Sequence, residues 1–98
     1  MSYYLVFNYD VHDQEKYNEY NQAVPQAAQP GMKALVVDSA PNDLEGESRG
    51  TMVILEFESE EAAMRWYNSP KYKAIRHLRE ESTEGWARGV PHFVMPTS

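Results

Sequence analysis

Glu56 is the side chain whose type and setting most invite chemistry. It is the only charge in the apolar run Thr51–Phe57, and a carboxylate there is costly to bury unless it is paired or protonated. Two readings follow. In one, Glu56 forms a structural ion pair with Arg79 or Arg76. In the other, it is a pocket acid or base whose pKa burial raises, working beside tyrosines with Arg79 as an anion clamp. Tyr17, Tyr20, Trp66, Tyr67 and Tyr72 supply the rings for such a pocket. Aromatic residues at helical spacing also serve as helix-to-sheet core, but the polar tips of these five need partners. The space between them, bordered by Arg76 and by Asn8 on the first strand, is the default ligand site.

Other chemistry is thinly supported. Asp10, His12 and Asp13 combine carboxylate and imidazole, ordinary metal ligands. Asp13, however, stands where a helix needs its cap, and no metal is expected. No serine–histidine–acid arrangement has usable spacing, and no glycine-rich phosphate loop is present. Cysteine is absent, which removes disulfides, thiolate nucleophiles and cysteine-ligated metals.

The composition sets the frame for these side chains. A chain of 98 residues with 42% hydrophobic and 12% aromatic content is expected to fold as one domain, residues 1–98. The net charge of −6 and the pI near 4.9 give no basic surface for nucleic acid or anionic membranes. The first residues carry no basic leader, and no apolar run approaches the roughly 20 residues that span a bilayer. Together with the missing cysteines, this reads as a cytoplasmic protein.

The elements that must position the site can be taken in order. Residues 3–10 alternate as a strand that is apolar on both faces at its start and polar at its end. Asp13 caps a helix whose stripe is Tyr17, Tyr20, Val24, Ala27 and Ala28, with a change of direction at Pro25 and a stop at Pro30-Gly31. Residues 32–39 read as the second strand. Residues 40–50 form a long charged loop, either a solvated excursion or one bordering a pocket or a partner. Thr51–Phe57 is the third strand, again apolar on both faces. Ser59 caps the next helix and Ser69-Pro70 restarts it. Residues 81–88 read as a polar turn around Gly85, and 90–95 as a last strand, with Pro91 confining it to a sheet edge.

Strand, helix, strand, strand, broken helix, strand gives an α+β, ferredoxin-like βαββαβ fold: a four-stranded antiparallel sheet with its helices on one face. Two-faced strands and too few helices to cover both faces predict a homodimer through the helix-free sheet face.

The run EFESEEAAMRWYNSPKYKAIRHLR resembles the signature of the domain-of-unknown-function family 1330. Glu56, Phe57, Ser59, Glu61, Ala63, Trp66, Tyr67, Ser69, Tyr72 and Arg79 fit it. Asp13, Tyr17 and Tyr20 fit the family's first helix, and Leu44, Glu45 and Gly46 its long loop. Glu58, Lys71 and Pro30 depart from the usual proline, glutamate and glycine. The resemblance implies a dimeric α/β-barrel assembly and no settled reaction. That wider group includes cofactor-independent and haem-degrading monooxygenases. The haem-degrading kind pairs an asparagine and a tryptophan like Asn8 and Trp66 with a histidine ten residues after the tryptophan. Arg76 stands at that position here, and His77 is about 100° further round the helix, so no cofactor is expected. Two classes remain: a small-molecule enzyme of unknown reaction, with Glu56 and Arg79 as its catalytic pair, or a non-catalytic ligand-binding or stress-associated module.

Overall fold

The computed structural model describes residues 1–96. Strands β1 (Tyr3–Val11), β2 (Lys33–Asp38), β3 (Thr51–Phe57) and β4 (Thr83–Pro91) form one antiparallel sheet in the order β2-β3-β1-β4. Helices α1 (Gln14–Ala23), α2 (Glu60–Tyr67) and α3 (Pro70–Ser82) follow β1 and β3. This is the ferredoxin-like arrangement that the element order predicts.

The helix starts are those the sequence marks. Asp13, Ser59 and Ser69 each accept a hydrogen bond from the backbone N–H three residues on, at Lys16, Ala62 and Tyr72. Pro25 lacks the N–H that an α-helix interior needs, and α1 gives way at Val24 to a 3-10 turn, Val24–Ala27. Gly31 then takes φ +85°, a left-handed turn into β2 that a side chain would strain.

Odd-numbered residues of β1 and β3 face the helices. Leu5, Phe7, Tyr9, Leu55 and Phe57 join Tyr17, Tyr20, Ala27, Ala63, Trp66 and Tyr72 in one core. Even-numbered residues face the other way. On that face Tyr4 stands opposite Glu56, Val6 opposite Ile54, Asn8 opposite Met52 and Trp86, and Val36 opposite Ile54. Among the described residues, no helix packs there.

The last strand corrects the sequence reading. β4 starts at Thr83, directly after α3, and ends at Pro91. The polar turn expected over residues 81–88 is therefore the end of α3 and most of β4, and residues 92–95, expected as strand, lie beyond it. β4 pairs along the whole of β1, from Val11 opposite Thr83 to Tyr3 opposite Pro91. It must begin where α3 delivers it. Gly85 is no turn: it faces Tyr9, and a Cβ there would collide with the Asn8 carbonyl. A glycine within a strand can mark just such a close backbone approach. The edge position of the strand is as predicted, and Pro91 is its last residue, opposite Tyr3.

Candidate functional site

An apolar cleft of about 290 Å³ opens between α1 with its 3-10 turn and the sheet. Tyr17, Tyr20, Asn21, Val24 and Pro25 form the helical wall, Phe7, Tyr9, Val53 and Leu55 the floor, and Ala34 and Val37 on β2 the outer rim. Trp66 closes the inner end. It is fully buried, donates its Nε1–H to the Ala27 carbonyl at 3.1 Å, and stacks on Tyr72 with ring centroids 4.0 Å apart. That hydrogen bond fixes the indole against the 3-10 turn, so the shape of the cleft depends on the break at Pro25.

The polar part of the site is a set of tyrosine hydroxyls. Tyr9 and Tyr17 pair through their OH groups at 2.7 Å, and Tyr20 and Tyr72 at 2.8 Å. Arg79, on α3, donates Nε–H to the Tyr72 hydroxyl at 3.3 Å and lays its guanidinium over the Phe7 ring, 5.2 Å from the centroid. Only 9% of Arg79 is exposed, and no carboxylate lies within ion-pair distance of it among the described residues.

The titration behaviour follows from this packing. Burial pushes the Tyr9 phenol far above its ordinary value of 10.0, and the bond to Tyr17 pushes it further. Tyr20 is likewise raised, first by burial and then by Tyr72. For Arg79, burial works against the charge, but the Tyr72, Tyr20 and Tyr67 hydroxyls outweigh it and the pKa is raised. The site therefore holds neutral phenols and a permanent cation. Tyr9 and Tyr20 can donate or accept hydrogen bonds at neutral pH, but neither is a phenolate base.

The expected site residues separate into three groups. Tyr17, Tyr20 and Trp66 line the cleft, and Tyr72 and Arg79 stand directly behind it. Tyr67 and Arg76 lie elsewhere: Tyr67 lines a smaller hollow with Tyr3, Leu5, Phe7, Met64 and Arg88. Arg76 stacks 4.7 Å from the Tyr67 ring centroid and reaches Glu80 at 3.8 Å. Glu56 and Asn8 are on the helix-free face.

Glu56 thus pairs with neither Arg79 nor Arg76. It stands opposite Tyr4 and Lys33 in the ladder, with the sheet between it and Arg79. The expected acid–arginine pair is not assembled within one chain, because strand parity sends residue 56 to one face while α3 covers the other. Asn8 is buried and fully engaged: its amide accepts from Arg49 N at 2.9 Å and donates to the Arg49 and Thr51 carbonyls at 3.1 and 2.8 Å. It staples the end of the long loop to β1. Asp10 helps, binding Gly50 N and the Arg49 guanidinium, while Asp13 is a helix cap. No group of three or more histidine, aspartate or glutamate side chains that could hold a metal occurs among the described residues.

Sequence reasoning missed the strand floor (Phe7, Tyr9, Val53 and Leu55), Asn21, Val24 and Pro25 on the helical wall, and the β2 rim. For Tyr9 and Val53 a signal existed, since both share strand parity with the core residues Phe7 and Leu55.

Comparison with known proteins places this architecture. The family model for the Domain of unknown function (DUF1330) matches residues 2–91. The chain belongs to that family. Comparison with curated proteins gives no match. Among solved structures, this member is similar to a protein of unknown function from Rhodopseudomonas palustris, at TM-score 0.73 and 15% identity over 97% of this chain and 84% of that one. It is also similar to a dimeric ferredoxin-like protein of unknown function from Thermobifida fusca, at TM-score 0.67 and 14% identity over 91% and 89%. SnoaB, a cofactor-independent oxygenase from Streptomyces nogalater, aligns at TM-score 0.63 and 10% identity over 96% and 95%. At these identities the likeness is one of fold. The matched span covers every strand and helix of the DUF1330 chain, and no helix among the described residues is long and apolar enough to cross a membrane.

Proposed function

We propose that this DUF1330 protein is a small-molecule binder, a single domain that works as a homodimer and holds its ligand in the cleft between α1 and the sheet. One observation carries the reading: the cleft of about 290 Å³, near the lower limit of ordinary ligand pockets, combines an almost wholly apolar wall with three tyrosines whose hydroxyls are paired among themselves and with Tyr72. Such a wall suits an aromatic or branched aliphatic body.

Binding is favoured over catalysis because the one candidate acid, Glu56, is on the far side of the sheet and the phenols of Tyr9 and Tyr20 stay protonated. The homodimer is supported by the helix-free face, where Tyr4, Val6, Val36, Met52, Ile54, Trp86 and Val90 lie only partly covered or exposed. The dimeric description of the similar Thermobifida fusca protein supports it too. The absence of cysteine fits a reducing, cytoplasmic location.

Titration of labelled protein with ethylbenzene tests the cleft. Amide resonances of Tyr20, Asn21, Val24, Ala34 and Val53 are expected to shift together and saturably, and Ala34→Trp, which fills the rim, is expected to abolish the shifts. Shifts confined to the helix-free face, or none at all, would refute the reading.

A further inference from the structure

Counting protons on the tyrosine hydroxyls identifies the kind of ligand the cleft takes. A phenol has one proton to donate, and a guanidinium can only donate. Arg79 Nε–H therefore points at the Tyr72 oxygen. Tyr72 is wholly buried, and among the described residues the Tyr20 oxygen is the acceptor within reach of its own proton. If Tyr20 donated to Tyr72 instead, the Tyr72 proton would be stranded in the interior, at a cost of about 1–3 kcal/mol. The chain thus runs in one direction, from Arg79 to Tyr72 to Tyr20.

Tyr20 is left with a proton and no acceptor among the described residues. The Tyr9–Tyr17 pair, whichever way it is oriented, leaves a second one. Tyr9, Tyr17 and Tyr20 all line the cleft. The tyrosines that line this otherwise apolar site therefore carry two spare O–H donors, with an unused acceptor on whichever of Tyr9 and Tyr17 donates within their pair, and a buried cation stands at the head of one relay.

We infer that the cleft binds a small carboxylate on an apolar body, its anionic oxygens accepting from the hydroxyls of Tyr20 and of Tyr9 or Tyr17, with Arg79 polarising the relay through Tyr72. The inference rests on the binding reading above and specifies its ligand. Arg79 is here a positioning residue. Its charge lies within the protein, so it acts through a low-dielectric path and favours an anion over a neutral isostere. The raised pKa values of Tyr9 and Tyr20 keep both protons in place for donation at neutral pH.

Three probes with one apolar body test this: ethylbenzene, 4-ethylbenzamide and 4-ethylbenzoate, each titrated into wild-type protein and the Tyr20→Phe variant and followed on the cleft resonances. In wild type, 4-ethylbenzoate is expected to bind about tenfold or more tighter than ethylbenzene and tighter than the amide. Tyr20→Phe is expected to weaken the carboxylate about fivefold or more, and by a larger factor than it changes ethylbenzene. If ethylbenzene occupies the cleft and 4-ethylbenzoate gains nothing over it, the inference is wrong while the binding reading stands. Equal affinity for amide and carboxylate removes the anion preference and overturns it as well. If none of the three perturbs the cleft, both fail. The wild-type comparison needs no variant, so the outcome does not depend on how Tyr20→Phe folds.

Discussion

Arg79 carries its charge into the interior with Phe7 and the Tyr72 hydroxyl as its partners, and a cation in that position costs solvation that no nearby carboxylate returns. Arg79→Met keeps most of the packing on Phe7 and removes the charge. It is expected to leave the unliganded protein within about 1 kcal/mol of wild type in urea denaturation, because a lost desolvation penalty offsets a lost hydrogen bond. The same variant is expected to lose its preference for 4-ethylbenzoate. A large drop in stability with that preference intact would make Arg79 a structural residue. The buried phenols give a second expectation, on pH. The folded pKa of Tyr9 and Tyr20 lies above the ordinary 10.0 that applies in the unfolded chain. Above pH 10 the unfolded state therefore releases protons that the folded state keeps, and stability falls by up to about 1.4 kcal/mol per pH unit for each tyrosine. Below pH 9 these two groups contribute no slope. Denaturation curves between pH 8 and 11.5 should show that fall in wild type and a shallower one in Tyr20→Phe.

At the scale of elements, Gly85 determines how closely β4 can approach β1. A methyl group there would meet the Asn8 carbonyl and the Tyr9 backbone, neither of which can swing aside as a flexible side chain would. Gly85→Ala is expected to destabilise the protein by about 1–3 kcal/mol in urea denaturation, with the loss of protection from hydrogen exchange concentrated along β4. Gly46, with open space around it but φ +70°, should cost less on the same substitution. These two glycines show which features could be read from the sequence. Helix starts were legible because a cap is a local event: Asp13, Ser59 and Ser69 each act within one turn of themselves. Strands β1 and β3 were legible from their alternation. β4 was not, because its start is set by where α3 ends and by the length of β1, while its composition, with Gly85, Arg88 and Gly89, looks like a turn. The site followed the same division. Tyr17, Tyr20 and Trp66 sit on helices whose stripes are visible in the sequence, whereas the separation of Glu56 from Arg79 depends on which face α3 covers, a non-local fact.

For the whole molecule, the two faces of the sheet are unequal problems. The helices and the cleft occupy one. The other presents Val6, Val36, Met52 and Ile54 at its centre, flanked by Tyr4, Trp86 and Val90, with Glu56 and Lys33 opposite one another at one end of the ladder. A continuous apolar surface of this kind favours association through burial, at about 25 cal/mol for each Å² removed from water, less the cost of immobilising two bodies. Glu56 and Lys33 lie at one end of the face, but Arg88 stands opposite Val6 on the edge strand and stacks on Trp86, so a second copy that covers the centre must pair Arg88 or leave it in water. Glu56 would then face the partner's sheet, where a polar group at an interface sets register more than it adds affinity. Native mass spectrometry of wild type is expected to give a dimer at micromolar concentration. Ile54→Asp, at the centre of the face and pointing away from the cleft across the sheet, is expected to give a monomer whose far-ultraviolet circular dichroism is retained and which still shifts its cleft resonances on adding 4-ethylbenzoate. Glu56→Gln should leave the dimer largely intact, weakening it by no more than about tenfold. A wild-type monomer would remove the dimer from the proposed function. An Ile54→Asp dimer would move the interface to another surface.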